Sequence, residues 1–415
     1  MRLATLLFVL AIATSALAGS FSESMLHGVT MLQARRYEEA AASFLEAREA
    51  DPASEPARKG LAAAWSGLGT ERLHAGRLRE SRALLEKAVE IRPEAADLHL
   101  LLAQVQFRAG DVAGARREVD LALEITPGNA VARDLSGDLY YHEGRLNLAV
   151  GEWEVAAAAG RTRSLSEKIE RGRGDMIAEE GMERETSRFF VVQFDSNVPR
   201  LLVQAIFKLL DDSFNFMHDQ LGDYPRDAIQ VLLYSQQAFR DVTNAPVWAG
   251  GLYDGKIRIP VGNLRIEGAR DLPSLLKILT EVYNLPATLT HEMAHAFVSR
   301  MAPAGLPLWF NEGLATTFEG WDPAKVREWL AQNAPAAFAS LDDIDRGLQG
   351  RSGNVSAAYG AARLAINEII EIRGAGAVRG ILKGVGDGRP FPDVFADEVR
   401  LDLREFEERW RKGLP

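Results

Sequence analysis

The segment LLAQVQFRAGDVAGARREVDLALEITP, from Leu101 to Pro127, decides the fold of the N-terminal half of the chain. Two helix-compatible runs flank Gly110, and Pro127 ends the second run because proline cannot continue a helix. The same arrangement recurs along the chain, since Gly76, Gly110 and Gly144 lie 34 residues apart. A sustained period of this length predicts stacked helical hairpins.

Small residues, large apolar residues and prolines fall into register around these glycines. The copies are Tyr37, Ala40, Phe44, Ala47 and Pro52; Trp65, Leu68, Gly69, Gly76, Ala88 and Pro93; Leu102, Gly110, Ala115, Ala122 and Pro127; and Gly137, Tyr140, Gly144, Ala149, Trp153 and Ala156. Each copy resembles the tetratricopeptide helix-turn-helix pattern, which implies an α-solenoid of about four repeats over 19–160. Such arrays usually hold a peptide or protein partner, although the repeat surface could instead pack against the neighbouring domain.

The composition bounds the remaining possibilities. With 47% hydrophobic and 26% charged residues, the 415-residue chain has a globular composition. A net charge of −10 argues against a nucleic-acid partner, because the chain has no excess of positive charge to pair with phosphates. The chain has no cysteine, so a metal would be held by histidine and carboxylate, and a cysteine nucleophile is excluded.

The N-terminus predicts export. Arg2 precedes an apolar run from Leu3 to Ala13, and Ala16-Leu17-Ala18 fits a cleavage site. We therefore predict a signal peptide at 1–18, cleaved after Ala18, and a periplasmic or secreted protein. An uncleaved anchor is the alternative, but the run falls short of the roughly 20 residues that span a bilayer. No membrane span is expected after signal removal.

After the repeats, the charged segment 161–186 predicts a capping helix and linker, and 187–415 a second domain. Strands are predicted at 189–194, 229–234 and 256–261, with helices following. Strands first and helices later predict an α+β domain rather than a doubly wound sheet. The segment 256–261 alternates and carries a proline near its end, which favours an exposed edge strand.

The pentapeptide His291-Glu292-Met293-Ala294-His295 is the candidate metal site. On a helix, histidines four residues apart lie on one face, so both can reach one ion. Glu292 lies beside the first ligand and can act as general base for hydrolysis. The motif alone also occurs by chance, and its histidines could simply be surface residues of a charged helix. The neighbouring sequence must therefore decide whether it is a metal site.

That context is the downstream segment LWFNEGLA, from Leu308 to Ala315. Here the chain resembles the gluzincin clan of zinc peptidases, in which a glutamate on a second helix is the third ligand. The resemblance covers roughly 187–385 and implies a zincin-like domain with a mixed sheet and an active-site helix. It assigns His291, His295 and Glu312 as Zn²⁺ ligands and Glu292 as base and proton shuttle, with a fourth position for water.

Three neighbouring features refine the resemblance. Tyr359 is the candidate oxyanion-stabilising side chain, with an ordinary packing role as the alternative. Thermolysin-like members have an aspartate four residues after the third ligand, whereas this chain has Thr316, so support for a ligand histidine must come from Glu319 or a backbone carbonyl. Asp342, Asp343 and Asp345 lack the pattern of a calcium loop and are interpreted as a solvated turn.

The predicted function is that of an exported zinc-dependent metallopeptidase acting on a peptide or protein substrate. The region Gly250 to Asp254 departs from the aminopeptidase segment that grips a substrate amino terminus, which favours an endopeptidase. In this clan an edge strand beside the active-site helix binds the substrate backbone, and 251–261 lies where that strand is expected. The alternatives are a tetratricopeptide scaffold whose zinc domain does not turn over, and a hydrolase of non-peptide amides or esters.

Overall fold

The computed structural model divides the chain into two units. They are Met1–Leu139 with Glu152–Arg161, and Tyr140–Gly151 with Thr162–Pro415. The described residues are 20–222, 228–243, 250–302, 305–334, 338–350 and 354–414. The predicted signal peptide, 1–18, lies outside them. Within the described ranges, no helix is both long enough and apolar enough to cross a membrane.

Residues 20–159 form consecutive helical hairpins. Their helices are α1 (20–33), α2 (Tyr37–Ala50), α3 (Glu55–His74), α4 (Leu78–Ile91), α5 (Ala96–Arg108), α6 (Val112–Ile125), α7 (Ala130–His142) and α8 (Leu146–Ala159). Gly76, Gly110 and Gly144 lie in the hairpin turns with φ of 75°, 73° and 73°, a conformation that strains any residue with a side chain. The prediction of an N-terminal helical repeat region is confirmed.

Contacts between small and large residues pack these hairpins in the first unit. A β-carbon at Gly137 would lie 2.4 Å from the ring of Trp153, so α7 and α8 approach closely only because position 137 lacks a side chain. Phe44 from α2 and Leu61 from α3 lie in one buried cluster. Successive hairpins therefore bury a common core, as a solenoid requires.

A mixed sheet lies in the second unit. Its described strands are β1 (Glu183–Thr186), β2 (Phe190–Phe194), β3 (Ile229–Tyr234), β4 (Leu252–Tyr253) and β5 (Ile257–Pro260). Their order is β1-β2-β3-β5-β4, with β2, β3 and β5 parallel and the two outer strands antiparallel to their neighbours. A small mixed sheet followed by helices is an α+β arrangement, as predicted. The zincin-like identity of this unit stays a prediction.

Helices before and after the sheet complete the second unit. They are α9 (Arg163–Glu179), α10 (Arg200–Leu221), α11 (Gln236–Thr243), α12 (Leu272–Glu281), α13 (Leu285–Met301), α14 (Leu308–Phe318), α15 (Pro323–Asn333), α16 (Leu341–Leu348), α17 (Val355–Arg373), α18 (Ala375–Gly386), α19 (Phe391–Val399) and α20 (Leu403–Lys412). Val192, Val231 and Ile259 from the sheet share one buried cluster with Phe214 from α10 and Phe297 from α13. The core therefore fixes α13, which carries the candidate histidines, against the sheet.

The segment 161–186, interpreted from sequence as a capping helix and linker, contains two regular elements. Helix α9 runs through Gly172 and Gly174 without a break, and β1 follows it and pairs with β2. Both elements belong to the second unit. Two glycines cost a helix about 2 kcal/mol in all, which tertiary contacts can offset.

The prediction of an exposed edge strand at 256–261 was wrong. Strand β5 lies between β3 and β4, and the edge is the two-residue strand β4. The alternating charges, Lys256 and Arg258, suggested a solvent-exposed face, but both side chains are buried. Lys256 places its Nζ 3.0 Å from Glu179 Oε1, and both side chains are less than 10% exposed. A charged face is therefore compatible with an interior strand when α9 supplies the counter-charges.

Arg258 is the most completely paired of these buried charges. Its side chain is 0% exposed and donates to Asp254, Asp175, Tyr234 and Tyr141. Burial alone would lower the pKa of Arg258, but Asp254 and Asp175 outweigh burial and raise it. The guanidinium thus stays charged and ties β5 to α9.

Removing the counter-charge tests this arrangement. We expect Asp175→Ala to lower the free energy of unfolding by about 3–5 kcal/mol, because Arg258 would keep its buried charge without a bidentate partner. Chemical denaturation measures the change. The control, Glu167→Ala, removes the exposed Arg163 pair and should cost less than about 1 kcal/mol. Equal, small losses in the two variants would contradict this reading of the network.

Candidate metal centre

Helix α13 carries the first two candidate ligands. Its buried face is apolar, formed by Leu289, Met293, Ala296 and Phe297. His291 and His295 lie one turn apart on a more accessible face. Their Nε2 atoms are 3.1 Å apart, so the two imidazoles converge on a single point.

Helix α14 brings the third candidate ligand to the same point. Glu312 Oε2 lies 3.5 Å from Nε2 of His291 and 3.5 Å from Nε2 of His295. The next residue, Gly313, lets α14 lie directly against α17, since a β-carbon there would meet the carbonyl oxygen of Ala362 at 2.4 Å. The glycine in the Asn-Glu-Gly sequence therefore sets the position of the glutamate.

The three donor atoms fit a tetrahedral ion. Ligand atoms about 2.0–2.2 Å from zinc at tetrahedral angles are about 3.3–3.6 Å apart, close to the 3.1, 3.5 and 3.5 Å found here. Oε2 of Glu312 is buried and accepts no hydrogen bond within the usual distance, so this oxygen is available to a cation. His291, His295 and Glu312 also form the cluster with metal-ligand geometry among the described residues.

The charges of the three groups are strongly coupled. Burial disfavours a charged His291, but Glu312 and Glu319 outweigh it and raise the pKa of His291 to about 10. Burial raises the pKa of Glu312, yet the imidazoles of His291 and His295 lower it to about 2. The two imidazoles therefore favour the ionised form of Glu312, the form in which a carboxylate binds a metal.

Two side chains contact the imidazoles at Nδ1, the ring nitrogen that does not face Glu312. Oε1 of Glu319 lies 2.6 Å from Nδ1 of His291, and Oδ1 of Asn311 lies 3.2 Å from Nδ1 of His295. Of the two sources of support left open by the sequence, Glu319 and a backbone carbonyl, the structure has Glu319 at His291. Asn311 was not assigned its position from sequence. Thr316 donates its hydroxyl back to Glu312 O and Gly313 O and takes no part in orienting a histidine.

Both ends of α14 are held by residues distant in sequence. Asp345 Oδ1 accepts a 2.6 Å hydrogen bond from the backbone N–H of Trp309 at the first turn. Arg363 donates to the carbonyls of Thr316 and Trp321 at the other end. The interpretation of Asp345 as part of a solvated turn was therefore wrong, because its helix α16 packs against the start of α14.

Glu292 lies in the cavity that the candidate ligands line, and 6% of the residue is exposed. Burial raises the pKa of Glu292, although His291 and His295 oppose the rise. A β-carbon at Gly251 would lie 2.9 Å from Oε1 of Glu292. The missing side chain at position 251 therefore leaves room for this carboxylate beside strand β4.

Tyr359, from α17, also lines this cavity, which has a volume of about 350 Å³. Its ring centroid lies 6.3 Å from that of His291. Burial, followed by the charges of Glu312 and Glu292, raises the pKa of Tyr359 above its ordinary value. The phenol thus stays neutral and can donate a hydrogen bond. The structure brings all five predicted site residues to one cavity.

The hydrogen bond that Glu319 accepts from His291 predicts the effect of Glu319 on metal affinity. We expect Glu319→Gln to weaken zinc binding by about 10–100-fold, because the charged partner that orients His291 is lost. Competition with a chromogenic chelator measures the affinity. Glu328→Gln changes an exposed carboxylate of α15 and should leave it unaltered. An unaltered affinity in Glu319→Gln as well would contradict the orienting role.

Comparison with known proteins bears on the repeats. A family model described as tetratricopeptide repeat matches residues 72–150, where the structure has the hairpins of α4 to α8. Repeats of this family generally mediate protein–protein interactions, so the N-terminal region resembles a protein-binding scaffold. A search of curated proteins found no match.

Proposed function

We propose that the second unit is a zinc-dependent hydrolase of the gluzincin type, and that it cuts peptide bonds within a chain. One observation carries the proposal. The donor atoms of His291, His295 and Glu312 lie 3.1–3.5 Å apart, and the buried carboxylate of Glu292 lines the same cavity. Three protein ligands leave a fourth position, which is typical of catalytic rather than structural zinc.

The chemistry divides between the ion and the side chains. When bound, zinc supplies a Lewis acid that polarises the scissile carbonyl and lowers the pKa of water. Glu292 takes the proton that water releases and returns it to the leaving amine. Gly251 supports this role, because a larger residue there would displace the carboxylate from the cavity.

Tyr359 supplies a neutral hydroxyl from a residue that lines the same cavity. We propose that it donates a hydrogen bond to the oxygen that becomes negatively charged when the carbonyl is attacked. Its position in the cavity lining supports this role. A phenol suits it because Glu292 and Glu312 would repel an anionic group from the same space.

The proposal extends to the whole chain. The predicted signal peptide supports export to the periplasm or the outside, and the repeats would recruit a substrate or a partner protein. The family match over 72–150 favours a second candidate, a scaffold whose zinc domain does not turn over. Glu292 argues for the enzyme, because a structural zinc site has no use for a base beside its ligands.

Replacing the base separates these candidates. We expect Glu292→Gln to lower hydrolysis of an unfolded protein substrate by about 10²–10⁴-fold, because the amide cannot accept the proton. Fluorescent-substrate assays measure hydrolysis, and metal analysis should find the zinc content of wild type. Glu281→Gln alters an exposed glutamate of α12 and serves as the matched control.

Equal hydrolysis by wild type and Glu292→Gln would refute the mechanism. Zinc-loaded wild type without hydrolysis of any peptide or ester would favour the scaffold. Hydrolysis of esters or small amides without peptide cleavage would support the catalytic site but show that its substrate is not a peptide.

A further inference from the structure

The segment from Gly251 to Asp254, which contains strand β4 and is called the β4 segment below, lies beside the candidate base. A β-carbon at Gly251 would lie 2.9 Å from Oε1 of Glu292. Gly251, Leu252 and Tyr253 line the same cavity as Glu292. The position of the β4 segment therefore limits where the carboxylate of Glu292 can lie.

The β4 segment has few backbone contacts that fix its position. Leu252 and Tyr253 pair with Arg258 and Ile257 of β5, and among the described strands none lies on the other side of β4. A strand of two residues is shorter than most strands of globular proteins. The Tyr253 hydroxyl lies 2.9 Å from Oγ of Ser299 on α13. Side chains must therefore contribute to holding the segment in place.

Arg258 binds the end of the β4 segment through Asp254. Nε of Arg258 lies 3.1 and 3.2 Å from the two carboxylate oxygens of Asp254. The other guanidinium nitrogens donate to the carboxylate of Asp175 at 3.0 and 3.1 Å, to Tyr234 at 2.8 Å and to Tyr141 at 3.1 Å. Each of the five N–H groups of a guanidinium thus has an acceptor. The guanidinium cannot turn without breaking hydrogen bonds, so it is a fixed anchor for Asp254.

Asp254 is not required to neutralise Arg258. Asp175 already supplies a negative charge in bidentate geometry, and its side chain is 0% exposed. Asp254 adds a second carboxylate, and 28% of its side chain is exposed. A partly exposed ion pair contributes little to stability. The contact of Asp254 is therefore better explained by what it holds, which is the end of a two-residue edge strand.

We propose that Asp254 is a positioning residue for the candidate base, because its contact with Arg258 holds the β4 segment against the carboxylate of Glu292. The proposal rests on the proposed function, in which Glu292 is the base. Without the contact, the backbone at Gly251 can move away and the carboxylate gains other orientations. The three candidate ligands belong to α13 and α14, so loss of the contact affects the base and not metal binding.

Two substitutions in the full-length chain test whether Asp254 holds the β4 segment. Asp254→Ala removes both acceptors of Nε of Arg258, whereas Asp254→Asn keeps one. Hydrogen–deuterium exchange with mass spectrometry measures the opening of 250–256. We expect exchange there to be about tenfold faster in Asp254→Ala, as for one lost hydrogen bond to a charged group, and close to wild type in Asp254→Asn. Equal exchange in wild type and Asp254→Ala overturns the proposal.

A matched control removes a carboxylate elsewhere. Asp212 is an exposed residue of α10 that pairs with Lys208. Asp212→Ala should leave the exchange of 250–256 unaltered, because neither residue contacts the β4 segment. Faster exchange of 250–256 in this control as well would show a general loosening of the unit and would overturn the specific role of Asp254.

Hydrolysis of an unfolded protein substrate tests the link to the base. We expect Asp254→Ala to lower kcat by about tenfold with KM and zinc content near those of wild type, because a displaced base slows the chemical step. Asp254→Asn should recover most of kcat. A wild-type kcat in Asp254→Ala overturns the proposal. So does a loss of zinc in proportion to activity, which would show a merely structural role.

The failures of the two proposals are distinguishable. Faster exchange of 250–256 in Asp254→Ala, in a chain whose wild type hydrolyses nothing, retains the anchoring of β4 and refutes the hydrolase. Hydrolysis by wild type and Asp254→Ala at equal rates retains the hydrolase and refutes the positioning role.

Discussion

The Oε2 atom of Glu312, buried beside two imidazoles and without a hydrogen bond, is the constraint on which the candidate centre depends. A buried anionic oxygen is costly unless a cation or hydrogen bonds compensate it. Several contacts hold it there nonetheless. Gly313 admits α17 closely, Asp345 binds the start of α14, and Arg363 binds its end. Fixed in this way, the oxygen lies 3.5 Å from Nε2 of both histidines and is available to a cation.

Buried charge also organises the other side of the sheet. Arg258, paired with Asp175, ties β5 to α9, and through Asp254 it reaches the end of β4. Strand β4 has two residues and therefore few ladder hydrogen bonds of its own. Its position depends on side chains, namely the Asp254 contact and the bond between Tyr253 and Ser299. The wall of the cavity is thus held by charge pairing outside it.

The sequence predicted those features that depend on residues close together in the chain. The glycine period gave the hairpins because positive φ in a turn requires glycine, and the spacing of His291 and His295 gave their shared helix face. The interior place of β5 was missed because Asp175, distant in sequence, pairs with Arg258. Asn311 and Asp345 were missed for a related reason. Side-chain contacts between helices leave no periodic signal in one sequence.

Metal analysis of the full chain tests the central claim, that His291, His295 and Glu312 together bind zinc. We predict one tightly bound zinc ion per chain, measured by mass spectrometry of dialysed protein. Replacing the three residues by alanine should abolish it while circular dichroism retains the helical signal. A wild-type chain that retains no zinc, or a triple variant that binds as much zinc as wild type, would contradict the account.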